Sequence, residues 1–310
     1  MTERFSRSEA IKLMLVGGAS LAYLTGAHKP ILEAIENERG DWLISANLED
    51  YFEETIGIPV CVGERLSRGD RSIKNPTTGE TTYLEFGEVK RGYRNATKLI
   101  EYTYSNVTAY PMQFIRNIRP AECYFLLGDG LWFEKNDTIE KYVQGVHWPT
   151  PDGKSIIAST TGSLRDGTLD HEIFHRAQHV LNNREATTAA FTEINSRHNL
   201  PPYSNVYEVS LETVTCELNI AKPDGSASCY GASQATEDAA EIARNLMSGD
   251  SKFYERAARE KALDEKRLAV IETFKAISDG QMNEDFFEMI AEGKKPNWGW
   301  PQIPEAVYNY

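Results

Sequence analysis

Hydrophobic and polar positions along this chain follow two periods, and the period changes part-way. In the first half the apolar runs are short and strand-like. Ile56 to Val62 is nearly continuous and Thr82 to Phe86 alternates, while Cys123–Leu127, Leu131–Phe133 and Lys154–Thr160 are brief runs bounded by turn residues. Gly128-Asp129-Gly130 between two of these runs predicts a hairpin. The polar stretch Ser67 to Thr82, with Asn75-Pro76 and Thr78-Gly79, predicts a hairpin or surface loop. A long helical pattern from Asn95 to about Asn117 carries Leu99, Tyr102, Val107 and Phe114, and Pro111 should kink or end it. Shorter helical patterns at Ile31–Glu38 and Leu43–Thr55 lead in.

From Thr168 onward the 3.6-residue period takes over. Ile173, Ala177, Val180 and Leu181 make one apolar stripe, which Asp166 or Thr168 can cap and Asn182-Asn183 ends. Ser233 can cap a helix running to Met247 with Gly249 as its stop, and its stripe is Ala235, Ala239, Ile242, Leu246 and Met247. Ser251–Asp279 and Phe286–Ala291 continue as helix, and Asn297 to Pro304 reads as a strap packed on the surface by Trp298 and Trp300. Strand, long helix, strands and then helices give an α+β fold with a small twisted sheet.

The helix from Thr168 contains His171-Glu172-Ile173-Phe174-His175, an H-E-x-x-H motif. With six His in the chain, chance supplies this pattern roughly 0.01 times. One helical turn separates His171 from His175, so both imidazoles can face one metal ion, with Glu172 about 100° round the helix as general base. The alternative is a core helix whose histidines are satisfied by hydrogen bonds. His179 lies two turns from His171, too far to share the ion, and is assigned a structural or supporting role. Gln178 and Leu181 replace the Gly and third His of the metzincin pattern.

Composition narrows the field. The 310 residues are 41% hydrophobic and 25% charged, enough for a large core in one domain or two tightly joined lobes. A net charge of −13 excludes nucleic acid and anionic membrane surfaces as expected partners. Arg4 and Arg7 precede the apolar run Leu13 to Ala27, which is short for a membrane span and right for a signal-peptide core. Residues 1–27 are therefore expected to be a signal peptide on an exported protein, with no stable membrane insertion after its removal; an N-terminal helix packed on the domain is the alternative. Cys216 with Cys229, and Cys61 with Cys123, are candidate disulfides, against four thiols. Asn95, Asn106 and Asn136 open sequons. Residues 28–150 form the N-terminal α+β part, and 151–310 the metal-binding part with a helical C-terminal lobe.

A catalytic zinc takes three protein ligands. Downstream of His175 the candidate carboxylates are Glu237 and Glu241, one turn apart beside a core stripe, with a solvated acidic face as the alternative. H-E-x-x-H followed by Glu237-Asp238-Ala239-Ala240-Glu241 resembles the gluzincin metallopeptidases. It looks most like the branch containing the lethal factor catalytic domain, the Pro-Pro endopeptidases and Mlc titration factor A. Tyr230 stands seven residues before Glu237, as in the first two of these. The aspzincin pattern G-T-x-D-x-x-Y-G fits Tyr230-Gly231 but has Ala227 at the aspartate, and is set aside.

The resemblance covers roughly Lys154 to Met247 and implies a zincin-like fold. It implies a Zn2+ held by His171, His175 and Glu237, with Glu241 supporting a ligand or Tyr230. Glu172 then acts as base on a metal-activated water and Tyr230 stabilises the oxyanion. It also implies that Ile156, Ile157 and Ala158 lie on an exposed edge strand that pairs with a peptide or protein substrate. The expected activity is that of a zinc-dependent endopeptidase. The competing expectation is an exported zincin-like zinc-binding interaction protein without hydrolytic activity.

Overall fold

The computed structural model describes residues 44–62, 72–74, 81–86, 94–119, 123–128, 131–135, 138–149, 155–160, 167–203 and 224–308. The expected signal peptide, the helical pattern at 31–38 and the first two residues of the third sequon, 136–137, lie outside them.

Helix α1 spans 44–56 and feeds strand β1 (Val60–Val62). Two strands of an outer layer follow, β2 (Ser72–Lys74) and β3 (Thr81–Phe86). The long helical pattern becomes two helices, α2 (Arg94–Val107) and α3 (Met112–Ile118), with Pro111 as the cap of the second. Strands β4 (Cys123–Gly128), β5 (Leu131–Lys135), β6 (Thr138–Val143), β7 (Gly145–Pro149) and β8 (Ser155–Thr160) complete the β part. Helices α4 (Thr168–Leu181), α5 (Arg184–Arg197), α6 (Ala235–Ser248), α7 (Ser251–Ala257), α8 (Lys261–Ile277) and α9 (Glu284–Ala291) make up the rest, so the protein is α+β.

The strands form two four-stranded sheets. One has the order β1-β4-β8-β7, with β1, β4 and β8 parallel and β7 antiparallel at the edge; the other is the antiparallel ladder β2-β3-β5-β6. Leu84 and Leu131 of the second sheet pack with Cys61, Ile156 and Ala158 of the first. Ile157 turns the other way and joins Ile173 and Phe174 of α4 in the main core. The first sheet is therefore covered on both faces, which is why β4 and β8 read as apolar runs without alternation.

Two expectations change on this account. β4 and β5 are consecutive but belong to different sheets, so the hairpin around residues 128–130 is not formed. Burial explains it: β4 sits in the doubly covered sheet, whereas β5 is only part-buried beyond Leu131 and belongs to the outer ladder. The Cys61–Cys123 bridge is also absent, since Cys61 is a buried thiol. Cys61 pairs in register with Leu126, three residues along from Cys123. That offset is roughly 10 Å of strand rise, beyond disulfide reach. Cys229 is disulfide-bonded, and Cys216, its expected partner, lies outside the described residues.

Helix ends follow local chemistry. α4 begins after Gly167 in the left-handed region (φ 73), where an added Cβ would come within 2.7 Å of the Arg244 side chain. It ends on Asn182, also left-handed (φ 50). α6 starts at Ala235 after the 3-10 turn Gly231–Ser233, so Gln234 replaces Ser233 at the cap position, and Gly249 (φ 65) closes it as expected. Ser251–Asp279 is broken into α7 and α8 at 258–260.

The C-terminal stretch after α9 is a strap, as expected. Trp298 and Trp300 donate their ring N–H groups to the carbonyls of Ala109 (2.9 Å) and Tyr110 (2.8 Å). Tyr104 and Tyr51 donate to the carbonyls of Pro301 and Gln302. Among the described residues no helix is long and apolar enough to cross a membrane.

Phe274 is the hub of the helical core, with ring centroids 5.1 Å from Phe174, 5.9 Å from Phe114 and 5.2 Å from Phe287. Phe274→Ala should cost about 3–5 kcal/mol in urea denaturation. Because Phe174 lies between His171 and His175, the same variant should also loosen the turn that carries both histidines.

Candidate metal centre

Helix α4 is buried continuously from Leu169 to Gln178, wedged between the first sheet and α6. Ten buried residues in a row would ordinarily be apolar. Here Asp170, His171, Glu172, His175, Arg176 and Gln178 are among them, and each buried polar group needs a partner.

The partners define the site. His171 and His175 have ring centroids 4.7 Å apart, and their Nε2 atoms approach to 3.1 Å. Glu237 Oε2, from the first turn of α6, lies 3.1 Å from His171 Nε2 and 3.3 Å from His175 Nε2. These three residues are the cluster that can hold a metal ion among those described. A tetrahedral zinc with bonds of 2.0–2.1 Å holds its ligand atoms about 3.3 Å apart, so the donor set and its spacing fit such an ion.

The opposite ring nitrogens are fixed separately. His171 Nδ1 lies 3.0 Å from Glu241 Oε1, and Glu241 Oε2 lies 3.2 Å from the Arg244 guanidinium. His175 Nδ1 lies 3.3 Å from Gln178 Oε1. With acceptors on both Nδ1 atoms, each ring when neutral can carry its proton there and leave Nε2 free for a metal ion.

Glu172 is buried beside the cluster and accepts the backbone N–H of His147 on β7. Burial raises its carboxyl above the usual range, against the pull of His171 and His175. Strand β7 passes so close that a Cβ on Gly145 would stand 2.9 Å from Glu172 Oε1 and 2.4 Å from Thr168 Cγ2. The Tyr230 ring is 6.0 Å from that of His171, and its hydroxyl is hydrogen-bonded to Glu237. Burial, with Glu237 and Glu172 nearby, holds this hydroxyl protonated far above the ordinary tyrosine range.

Charge in the cluster is coupled. Burial opposes a charge on His171, yet hydrogen bonds to Glu237 and Glu241 push its pKa up to about 10. Burial likewise opposes charge on Glu237, but the two imidazoles hold it well below the usual carboxylate range. Asp170 is pushed up to about 6 by burial, against the Tyr110 hydroxyl that donates to it at 2.8 Å and the charge of Arg244.

His171, Glu172, His175, Tyr230, Glu237 and Glu241 thus converge. His179 does not join them; it is exposed, with its ring 5.5 Å from His147. Ile156, Ile157 and Ala158 are a correction: β8 lies between β4 and β7 and all three side chains are buried, so it is an interior strand. The edge beside Glu172 is β7. Gln178, Asp170, Tyr110 and Arg244 were not expected; of these only Gln178, three residues from His175, had a sequence signal.

No family model matches the sequence, and no curated protein matches it. Among solved structures the chain is similar to a candidate zinc-binding metallo-peptidase from Bacteroides caccae ATCC 43185, at 12% identity and a TM-score of 0.47. The match covers 82% of this chain and 93% of that one. A likeness of that size assigns no role to any residue here.

The raised His171 pKa has a measurable consequence. At neutral pH the metal-free protein keeps this ring protonated, because the pKa of about 10 lies above the solution pH. A ligand imidazole must be neutral, so zinc uptake should release that proton and tighten by about tenfold per pH unit below 10. Zinc titration calorimetry in buffers of different protonation enthalpy reads the proton directly, and uptake without release contradicts the assignment.

Proposed function

We propose that this protein is a zinc-dependent endopeptidase of the gluzincin kind. The observation that carries the reading is the convergence of His171, His175 and Glu237 at 3.1–3.3 Å, with Glu172 and Tyr230 flanking them. A structural zinc site closes its ion with four protein ligands, whereas three leave a position for substrate or water.

Bound there, zinc supplies Lewis acidity that polarises a carbonyl and acidifies a water. The chain's own residues do the rest. His171, His175 and Glu237 hold the ion, with Glu241 and Gln178 keeping the rings in the ligating tautomer. Glu172, with its pKa raised by burial, takes a proton from the attacking water and returns it to the leaving amine. Tyr230, protonated throughout the working range, releases Glu237 and donates its O–H to the oxyanion.

The substrate lies along β7. This strand pairs with β8 on one side, and no described strand pairs with the other. Its backbone at His147 already contacts Glu172, so an extended peptide added to the open edge passes the base.

Glu172→Gln should retain one zinc per chain and lower kcat on a peptide library by roughly 10²–10⁴-fold. His175→Ala should lose the zinc. Elemental analysis and mass-spectrometric digestion of the library read both. A wild-type protein that holds zinc but cuts nothing would instead be the binding protein without hydrolytic activity.

A further inference from the structure

Residues 224–230 bring Tyr230 to the metal cluster, and the way this stretch is held points beyond the site itself. Gly225 to Cys229 are buried yet belong to no helix or strand, so their peptide groups need partners. They find them on charged side chains of three helices. Glu260, just before α8, accepts the Gly225 N–H at 3.0 Å, and Lys266 of α8 donates to the Gly225 carbonyl at 2.7 Å. Arg256 of α7 donates to the carbonyls of Ser226 (3.1 Å) and Ala227 (3.4 Å). Asp238 of α6 accepts the Ala227 N–H at 2.8 Å.

These charges also hold one another. Lys266 Nζ lies 2.9 Å from Asp238 Oδ2, and both side chains are fully buried. The Tyr203 hydroxyl donates to the same carboxylate at 2.8 Å. Arg256 grips both oxygens of Glu260 at 3.0 Å each. At the far end of the stretch, a Cβ on Gly231 would stand 2.8 Å from Asp238 Oδ1 and 3.0 Å from its Cα, so the chain lies directly on the first turn of α6.

Burying a lysine and an aspartate to satisfy a loop is costly, and neutral groups would satisfy it as well. What charge-assisted bonds add is short, directional fixation. Asp238 is also the sequence neighbour of Glu237. One helical turn therefore aims one carboxylate at the imidazoles and the next at the backbone that carries Tyr230.

We propose that Asp238, Lys266 and Arg256 are positioning residues: they lock the 224–230 backbone so that the Tyr230 hydroxyl stands at the metal cluster, and they affect the reaction through Tyr230. This rests on the peptidase reading of the site. Loosening any of them frees Tyr230 without removing a metal ligand.

The test uses Arg256→Gln and Lys266→Met in the full zinc-loaded chain, each alone and combined with Tyr230→Phe. Hydrogen exchange, zinc content, kcat and KM are measured. Amide exchange across 224–231 should quicken by at least about tenfold while α4 and α6 keep their protection and zinc stays at one per chain. kcat should fall toward the roughly 10²–10³-fold loss of an oxyanion donor at near-constant KM, and adding Tyr230→Phe should cost nothing more.

Exchange at the parental rate in folded Arg256→Gln overturns the proposal, as do losses that multiply with that of Tyr230→Phe. If Lys266→Met does not fold, Arg256→Gln decides alone, its side chain being 15% exposed. If the parent cuts no peptide, the peptidase reading falls, and the lock itself stands or falls on the exchange rates.

Discussion

Two imidazoles one turn apart can share an ion only if each is prevented from rotating away. That constraint is met here at the nitrogens facing away from the metal cluster. Glu241 holds His171 and Gln178 holds His175, and both acceptors are buried. Glu241 is itself held by Arg244, whose side chain also passes against Gly167, where α4 begins. Geometry at the cluster is thus inherited from a chain of hydrogen bonds rooted in helix packing, with Arg244, 32% exposed, as its outermost member.

The same logic explains how α4 can be buried from Leu169 to Gln178 and yet carry so many polar groups. Asp170 is matched by the Tyr110 hydroxyl, Glu172 by the His147 amide, and Arg176 by the Ile118 carbonyl at 2.8 Å. Each partner comes from a different element: the turn before α3, strand β7 and the end of α3. An apolar helix in that position would bury as much surface with less risk, so the polar burden is a functional cost that the surroundings offset.

Much of this was legible beforehand, because some constraints are local. H-E-x-x-H places two rings by helical spacing alone, and Glu237 with Glu241 shows the same one-turn spacing on a second helix. Tyr230 was legible only through its offset from Glu237. The partners of Asp170 and Asp238 were not, since Tyr110 lies 60 residues away from the first and Lys266 28 from the second, with no period linking them. The exchanged roles of β7 and β8 are different, for the signal was present. Ser155 to Thr160 shows no polar alternation, which fits a strand covered on both faces, and that mark of an interior strand outweighs its position just before the metal helix.

The tail shows how far the site extends along the chain. Trp298 and Trp300 hang from the carbonyls of Ala109 and Tyr110, and Tyr110 in turn reaches Asp170, the residue before His171. The strap therefore works as a splint on a tight corner as well as a cover, since Trp298, Trp300 and Ile303 also pack against the main core. Clipping it would uncover that part of the core and take the brace from the first turn of α4. Damage at the carboxyl end would then be felt across the fold, in the turn that carries His171.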